Sequence, residues 1–116
     1  MSKEFIPYEQ ALELKELGFN DDCIGYYYTD PNAATIPILC IYKPYKDEYC
    51  LQAPIYQQAF RWFREKYGFT FSIGKTNISV VHVPTTTQLL QNNANYEAAE
   101  LTTIKYFIEI AKQIPF

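Results

Sequence analysis

The sequence predicts an α+β domain in which two β-hairpins form a small, mainly antiparallel sheet packed by three helices, in the order α-β-β-α-β-β-α. Three observations carry that expectation. Apolar residues recur at helical spacing in three segments, 55–67 above all; two pairs of β-branched and aromatic runs are joined by turn-forming residues; and Gly or Pro marks most boundaries between them. A chain of 116 residues and 13.6 kDa has the size of a single domain, 1–116, and buries about two-thirds of its unfolded surface without a staple.

The first helix begins at Pro7, whose missing N–H suits the first helical position, and closes at Leu17-Gly18-Phe19. Gly18 takes the left-handed conformation while Phe19 folds back on Leu14, so Tyr8, Ala11, Leu12, Leu14 and Leu17 form the buried side. Segments 23–29 and 36–43 are β-branched and aromatic, and Asp30-Pro31-Asn32 between them is turn chemistry, which makes a hairpin. Pro37 cannot donate to a ladder, so the second strand lies at an edge or enters the sheet only after it. Pro54 opens the second helix, 55–67, and Gly68 ends it. Ile55, Tyr56, Ala59, Phe60, Trp62, Phe63 and Tyr67 fill an arc of about 160°, leaving Gln57, Gln58, Arg61, Arg64 and Glu65 outside.

Phe69-Thr70-Phe71-Ser72-Ile73 alternates strictly, 74–77 turns and 78–83 returns, a second hairpin. With Ile73 opposite Ile78, the core face holds Ile78, Val80 and His82, and the open face holds Val81 and Val83. Residues 84–94 show no pattern. Asn95 caps the last helix, Glu97 and Glu100 complement its N-terminal dipole and Lys112 its far end. The apolar arc of that helix, about 220° from Tyr106 round to Leu101, exceeds what one core contact needs.

Charge and composition exclude several classes. Ten Lys and Arg against thirteen Asp and Glu, a net charge of −3, lack the basic excess of a duplex-binding domain and fall short of an acidic tail, so nucleic acid is not an expected partner. No apolar region follows Lys3 and no stretch approaches eighteen apolar residues, so neither a signal peptide nor a membrane span is expected. Three cysteines, one histidine and no C-x-x-C pair argue for reduced thiols in a cytoplasm, with Cys23 and Cys40 as small buried hydrophobes and with no metal or cofactor.

Ile73-Gly74-Lys75-Thr76 looks like the end of a phosphate-binding loop, but Phe69 stands where the first glycine is required and the segment joins two strands, so it reads as a hairpin turn. His82 is the only histidine and the first place to seek acid–base chemistry. It has no orienting carboxylate or nucleophile at a known spacing, which leaves a hydrolase as the least favoured function. Asp21-Asp22 reads as a solvated turn because no run of alternating acids accompanies it. Gln57, Arg61 and Arg64 lie within about 60° on one helix side, where two guanidinium groups could grip a phosphate or carboxylate. The plainer reading is an exposed face with an Arg61–Glu65 pair. Eleven tyrosines are an excess. Tyr26-Tyr27-Tyr28 must alternate faces in a strand, and Tyr45 and Tyr49 sit in a charged loop, so some rings reach the surface, where tyrosine serves interfaces.

In Pro7-Tyr8-Glu9-Gln10-Ala11-Leu12-Glu13-Leu14-Lys15-Glu16-Leu17-Gly18-Phe19, in Tyr56-Gln57-Gln58-Ala59-Phe60-Arg61-Trp62-Phe63-Arg64-Glu65-Lys66-Tyr67-Gly68 and in Tyr96-Glu97-Ala98-Ala99-Glu100-Leu101, the chain resembles small uncharacterised proteins encoded in bacteriophages and prophages. That resemblance implies a bacterial host cytoplasm and carries no catalytic residue. The expected function is non-enzymatic protein binding or self-association, with a homodimer formed through Val81 and Val83 or through Tyr106, or with a host protein as partner. The alternative is a small-molecule or nucleotide binder using Gln57, Arg61, Arg64, Tyr45 and Tyr49.

Overall fold

A computed structural model describes residues 2–29, 36–41, 50–84 and 86–114. Among them the helices and strands run α-β-β-β-α-β-β-β-α, a mixed α+β fold. The chain forms two compact units, Met1–Gln57 and Gln58–Phe116, and there are two three-stranded antiparallel sheets where the hairpins suggested one.

In the first unit, α1 (Tyr8–Glu16) starts one residue after Pro7, which occupies the cap position. Its end is a Schellman motif: Gly18 has φ 103°, its N–H donates to the Lys15 carbonyl at 3.0 Å, and the Phe19 N–H donates to the Leu14 carbonyl at 2.9 Å. The first sheet holds β1 (Gly25–Tyr28), β2 (Ile38–Cys40) and β3 (Cys50–Ala53) in the order β2-β1-β3. β1 and β2 are the expected hairpin, with Tyr27 opposite Leu39. β2 begins directly after Pro37 and lies at an edge, where the missing donor is tolerated. The turn Asp30-Pro31-Asn32 is outside the described residues.

β3 adds a strand that the two-hairpin scheme lacks, set by its pairing of Gly25 with Ala53 and Tyr27 with Leu51. Beyond it Phe5 bridges Ile55, and the Ile6 N–H donates to the Pro54 carbonyl at 2.9 Å. The Tyr27 hydroxyl donates to the Ile6 carbonyl at 2.7 Å, and burial pushes this phenol above its ordinary pKa. Gly25 is required where it stands, because a Cβ there would lie 2.6 Å from Phe5 Cε1.

α2 (Tyr56–Tyr67) has the expected face: Tyr56, Ala59, Phe60, Phe63 and Tyr67 are buried. Trp62 is only half-buried, its ring edge-on to Phe63 at 5.0 Å and covered by Lys66 Nζ at 5.0 Å. Gly68, at φ 76°, ends the helix and donates to the Arg64 carbonyl at 3.0 Å. In the second unit β4 (Thr70–Ile73), β5 (Ser79–Val83) and β6 (Thr86–Leu90) form a meander, and α3 (Tyr96–Lys112) packs on it. Phe107 of α3 meets Phe63 at 5.4 Å and Phe69 at 5.3 Å between ring centres, and Phe60 meets Phe71 at 4.0 Å.

The register of the second hairpin differs from the expected one by a single residue. Ile73 opposes Ser79, and Gly74 donates to the Ile78 carbonyl at 3.2 Å, so the loop contains three residues, Lys75, Thr76 and Asn77. Asn77 takes φ 60°, the left-handed third position that such loops use. Because side chains alternate, a slip of one residue inverts both faces of the returning strand. Val81 and Val83 therefore point into the core, while His82 stands outside opposite Thr70. The open-face placement of both valines is corrected on that ground. β6 is a further strand, within the segment that showed no pattern.

At α3 the Asn95 side chain accepts from the Ala98 N–H at 2.8 Å, the expected cap. Ala99, Thr103, Ile104, Phe107, Ile108 and Ala111 form its buried side, and the surplus apolar residues Leu101, Tyr106 and Ile110 are half-buried.

Candidate functional site

β1 is flanked on both sides, so its alternation sorts the whole first sheet. Gly25 and Tyr27 share the inner face with Leu51 and Ala53; Tyr26 and Tyr28 share the outer one with Ile38, Cys40, Cys50 and Gln52. Ile24 and Ile36 lie just outside the strands, each two residues before an outer-face residue, Tyr26 and Ile38. Ile24, Ile36 and Ile38 are 64%, 81% and 56% exposed. None of these outer residues is charged. One exposed isoleucine is ordinary, but three in and beside the two strands of one hairpin are the candidate site of the first unit. Among the described residues β2 pairs only with β1.

The cysteines do not staple this face. All three are free. Cys40 and Cys50 lie on strands separated by β1 and offset by two residues, about 12 Å apart by sheet spacing, against a disulfide limit of roughly 7 Å. Cys23 is buried, as expected, with Sγ 3.4 Å from the Asp21 carbonyl; Cys40 is half-buried.

The remaining site candidates are dispersed. Gln57, Arg61 and Arg64 are exposed on α2, while Tyr45 and Tyr49 lie outside the described residues. Val81 and Val83 are 0% and 7% exposed, so neither is available to a partner of the folded chain. Tyr106 is half-buried and His82 exposed. His82 Nδ1 lies 3.0 Å from Thr87 Oγ1, and a hydroxyl does not stabilise an imidazolium as a carboxylate does. Among the described residues no three His, Cys, Asp or Glu side chains gather as metal ligands, and no helix is long and apolar enough to cross a membrane. The exposed isoleucines were the signal missed in sequence: Ile36 and Ile38 alternate with Pro37 and Leu39, and only the pairing of Ile38 with Tyr28 and of Leu39 with Tyr27 decides which of them faces outward.

No protein-family model, curated protein or solved structure matches the chain.

Proposed function

We propose that this chain is a non-enzymatic protein-binding protein of the bacterial cytoplasm, of phage or prophage type, that docks a protein on the outer face of its first sheet. The exposure of Ile38 on the outer face, with Ile36 and Ile24 exposed just before β2 and β1, carries this reading. Burying an isoleucine is worth roughly 1.5–3 kcal/mol, enough for three of them to drive association. Free cysteines support a reducing compartment. A second copy and a host protein both suit a face that offers shape and apolar area in place of charge.

The test compares the wild type with the double variant Ile36→Asp/Ile38→Asp by light scattering at 50 µM, a concentration of about the order at which weak dimers form, and by capture from bacterial extract. The wild type is expected to dimerise or retain a discrete protein, and the variant to lose that property at unchanged thermal stability. Equal behaviour of the two proteins would overturn the proposal.

A further inference from the structure

We infer that the free edge of β6, in the second unit, pairs with the β6 edge of a second copy of this chain, joining two meanders into one antiparallel sheet across a twofold axis. This surface is separate from the docking face of the first sheet. The bonding pattern along β6 follows from the hairpin before it. Gly74 donates to the Ile78 carbonyl, so bonded pairs alternate from there, and Ile78, Val80 and His82 direct their main-chain groups to β4. Ser79, Val81 and Val83 turn theirs to β6, where they meet Leu90, Gln88 and Thr86. Thr87 and Leu89 are left with N–H and C=O pointing away from the sheet. Residues Thr86, Thr87, Gln88 and Leu89 are exposed. Among the described residues the one hydrogen bond to these outward groups is long, from Thr86 Oγ1 to the Thr87 carbonyl at 3.4 Å.

A strand edge that stays alone is blunted by charge, proline or a bulge. β6 has none of these: its residues are Thr86, Thr87, Gln88, Leu89 and Leu90, its pairing with β5 is unbroken, and no Asp, Glu, Lys or Arg occurs from Thr76 to Tyr96. Two copies of a chain of net charge −3 can therefore bring these edges together with no like charges between the strands. Symmetry sets the occupant. The outward residues stand one on each side of Gln88, so a twofold axis through Gln88 puts Thr87 opposite the second copy's Leu89 and Leu89 opposite its Thr87, each pair exchanging main-chain bonds in both directions. Gln88 then faces its own copy at about 4.5 Å between Cα atoms, and a carboxamide, which holds donor and acceptor together, can pair with itself. On the outer face Leu89, 51% exposed, gains the second copy's Thr87 as a neighbour. Such an isologous contact is the commonest way a soluble chain closes on itself. One strand of five residues makes less than a standard interface, so the dimer is weak and forms at about 10–500 µM.

The test follows the full chain over that concentration range by sedimentation velocity and amide exchange, as wild type and with Ile36→Asp/Ile38→Asp, which removes the first-sheet face as a contact. With that face removed the mass is expected to rise from 13.6 kDa toward twice that value. In both proteins the Thr87 and Leu89 amides should exchange at least twofold more slowly when concentrated, while those of Gln88 and Leu90, already bonded to β5, stay unchanged. Gln88→Lys and Gln88→Glu, at an exposed position, should each keep the Ile36→Asp/Ile38→Asp chain monomeric, because like charges meet at the axis, and their equimolar mixture should recover the dimer. Association that disappears with Ile36→Asp/Ile38→Asp would place the contact on the first sheet and overturn the inference. A chain monomeric throughout the range, Gln88 variants that dimerise singly, or a mixture that stays monomeric would each overturn it as well, and none of these three results bears on what the first-sheet face captures from extract.

Discussion

Ser79 and Thr103 are the polar pair inside the second unit, both fully buried, with hydroxyl oxygens 2.6 Å apart. The Thr103 hydroxyl gives its one proton to the Ala99 carbonyl at 2.8 Å, so Ser79 must be the donor and Thr103 its acceptor. Thr103→Val keeps the shape but strands the Ser79 hydroxyl without a partner, at a cost of about 2 kcal/mol. Ser79→Ala leaves Thr103 bonded to Ala99 and removes only one net hydrogen bond, about 1 kcal/mol. The double variant Ser79→Ala/Thr103→Val strands nothing and should cost about 1 kcal/mol, roughly 2 less than the sum of its parts. Urea unfolding of the four proteins at pH 7 measures this cycle. Additivity within about 0.5 kcal/mol would refute the donor assignment and the dryness of the site.

Gly25→Ala drives a Cβ to 2.6 Å from Phe5 Cε1 and should cost about 1–3 kcal/mol; Phe5→Leu in the same chain should recover part of the loss in thermal unfolding. Asn95→Ala removes the bond from the Ala98 N–H at 2.8 Å and should cost about 1 kcal/mol, whereas Asn95→Asp should cost almost nothing. Burial, and secondarily the neighbouring Glu97 carboxylate, hold Glu100 above its ordinary pKa. A raised folded-state value gives stability that is full below the unfolded value and is lost as pH rises through the folded one. Glu100→Gln, a mimic of the protonated form, should therefore be more stable than the wild type at pH 7 and equal to it at pH 3.

The helices were readable because their signals are local. Gly18 with Phe19, Asn95, and the spacing of Phe60, Phe63 and Tyr67 each specify a helix end or face without help from distant residues. The strands depended on partners. Leu51, Gln52 and Ala53 have little β preference and are extended because β1 pairs with them. β6 is exposed at Thr86, Thr87, Gln88 and Leu89, so no alternation marks it, and its pairing with β5 alone makes it a strand. One left-handed residue, Asn77, decided whether Val81 or His82 faced the core. Composition does not reveal such a loop geometry. For the candidate site, the tyrosine excess drew attention to Tyr45 and Tyr49, outside the described residues, and to Tyr26–Tyr28, whereas the largest apolar exposure there lies on Ile24, Ile36 and Ile38.

The isoleucine methyl groups report most directly on the proposed docking face. In a chain labelled at isoleucine δ1 methyls, addition of bacterial extract, or concentration of the protein itself, is expected to shift or broaden Ile24, Ile36 and Ile38 while the buried Ile104 and Ile108 stay fixed. Movement of Ile110 and Ile114 of the last helical region with the three outer isoleucines unmoved, or no change under either condition, would contradict it.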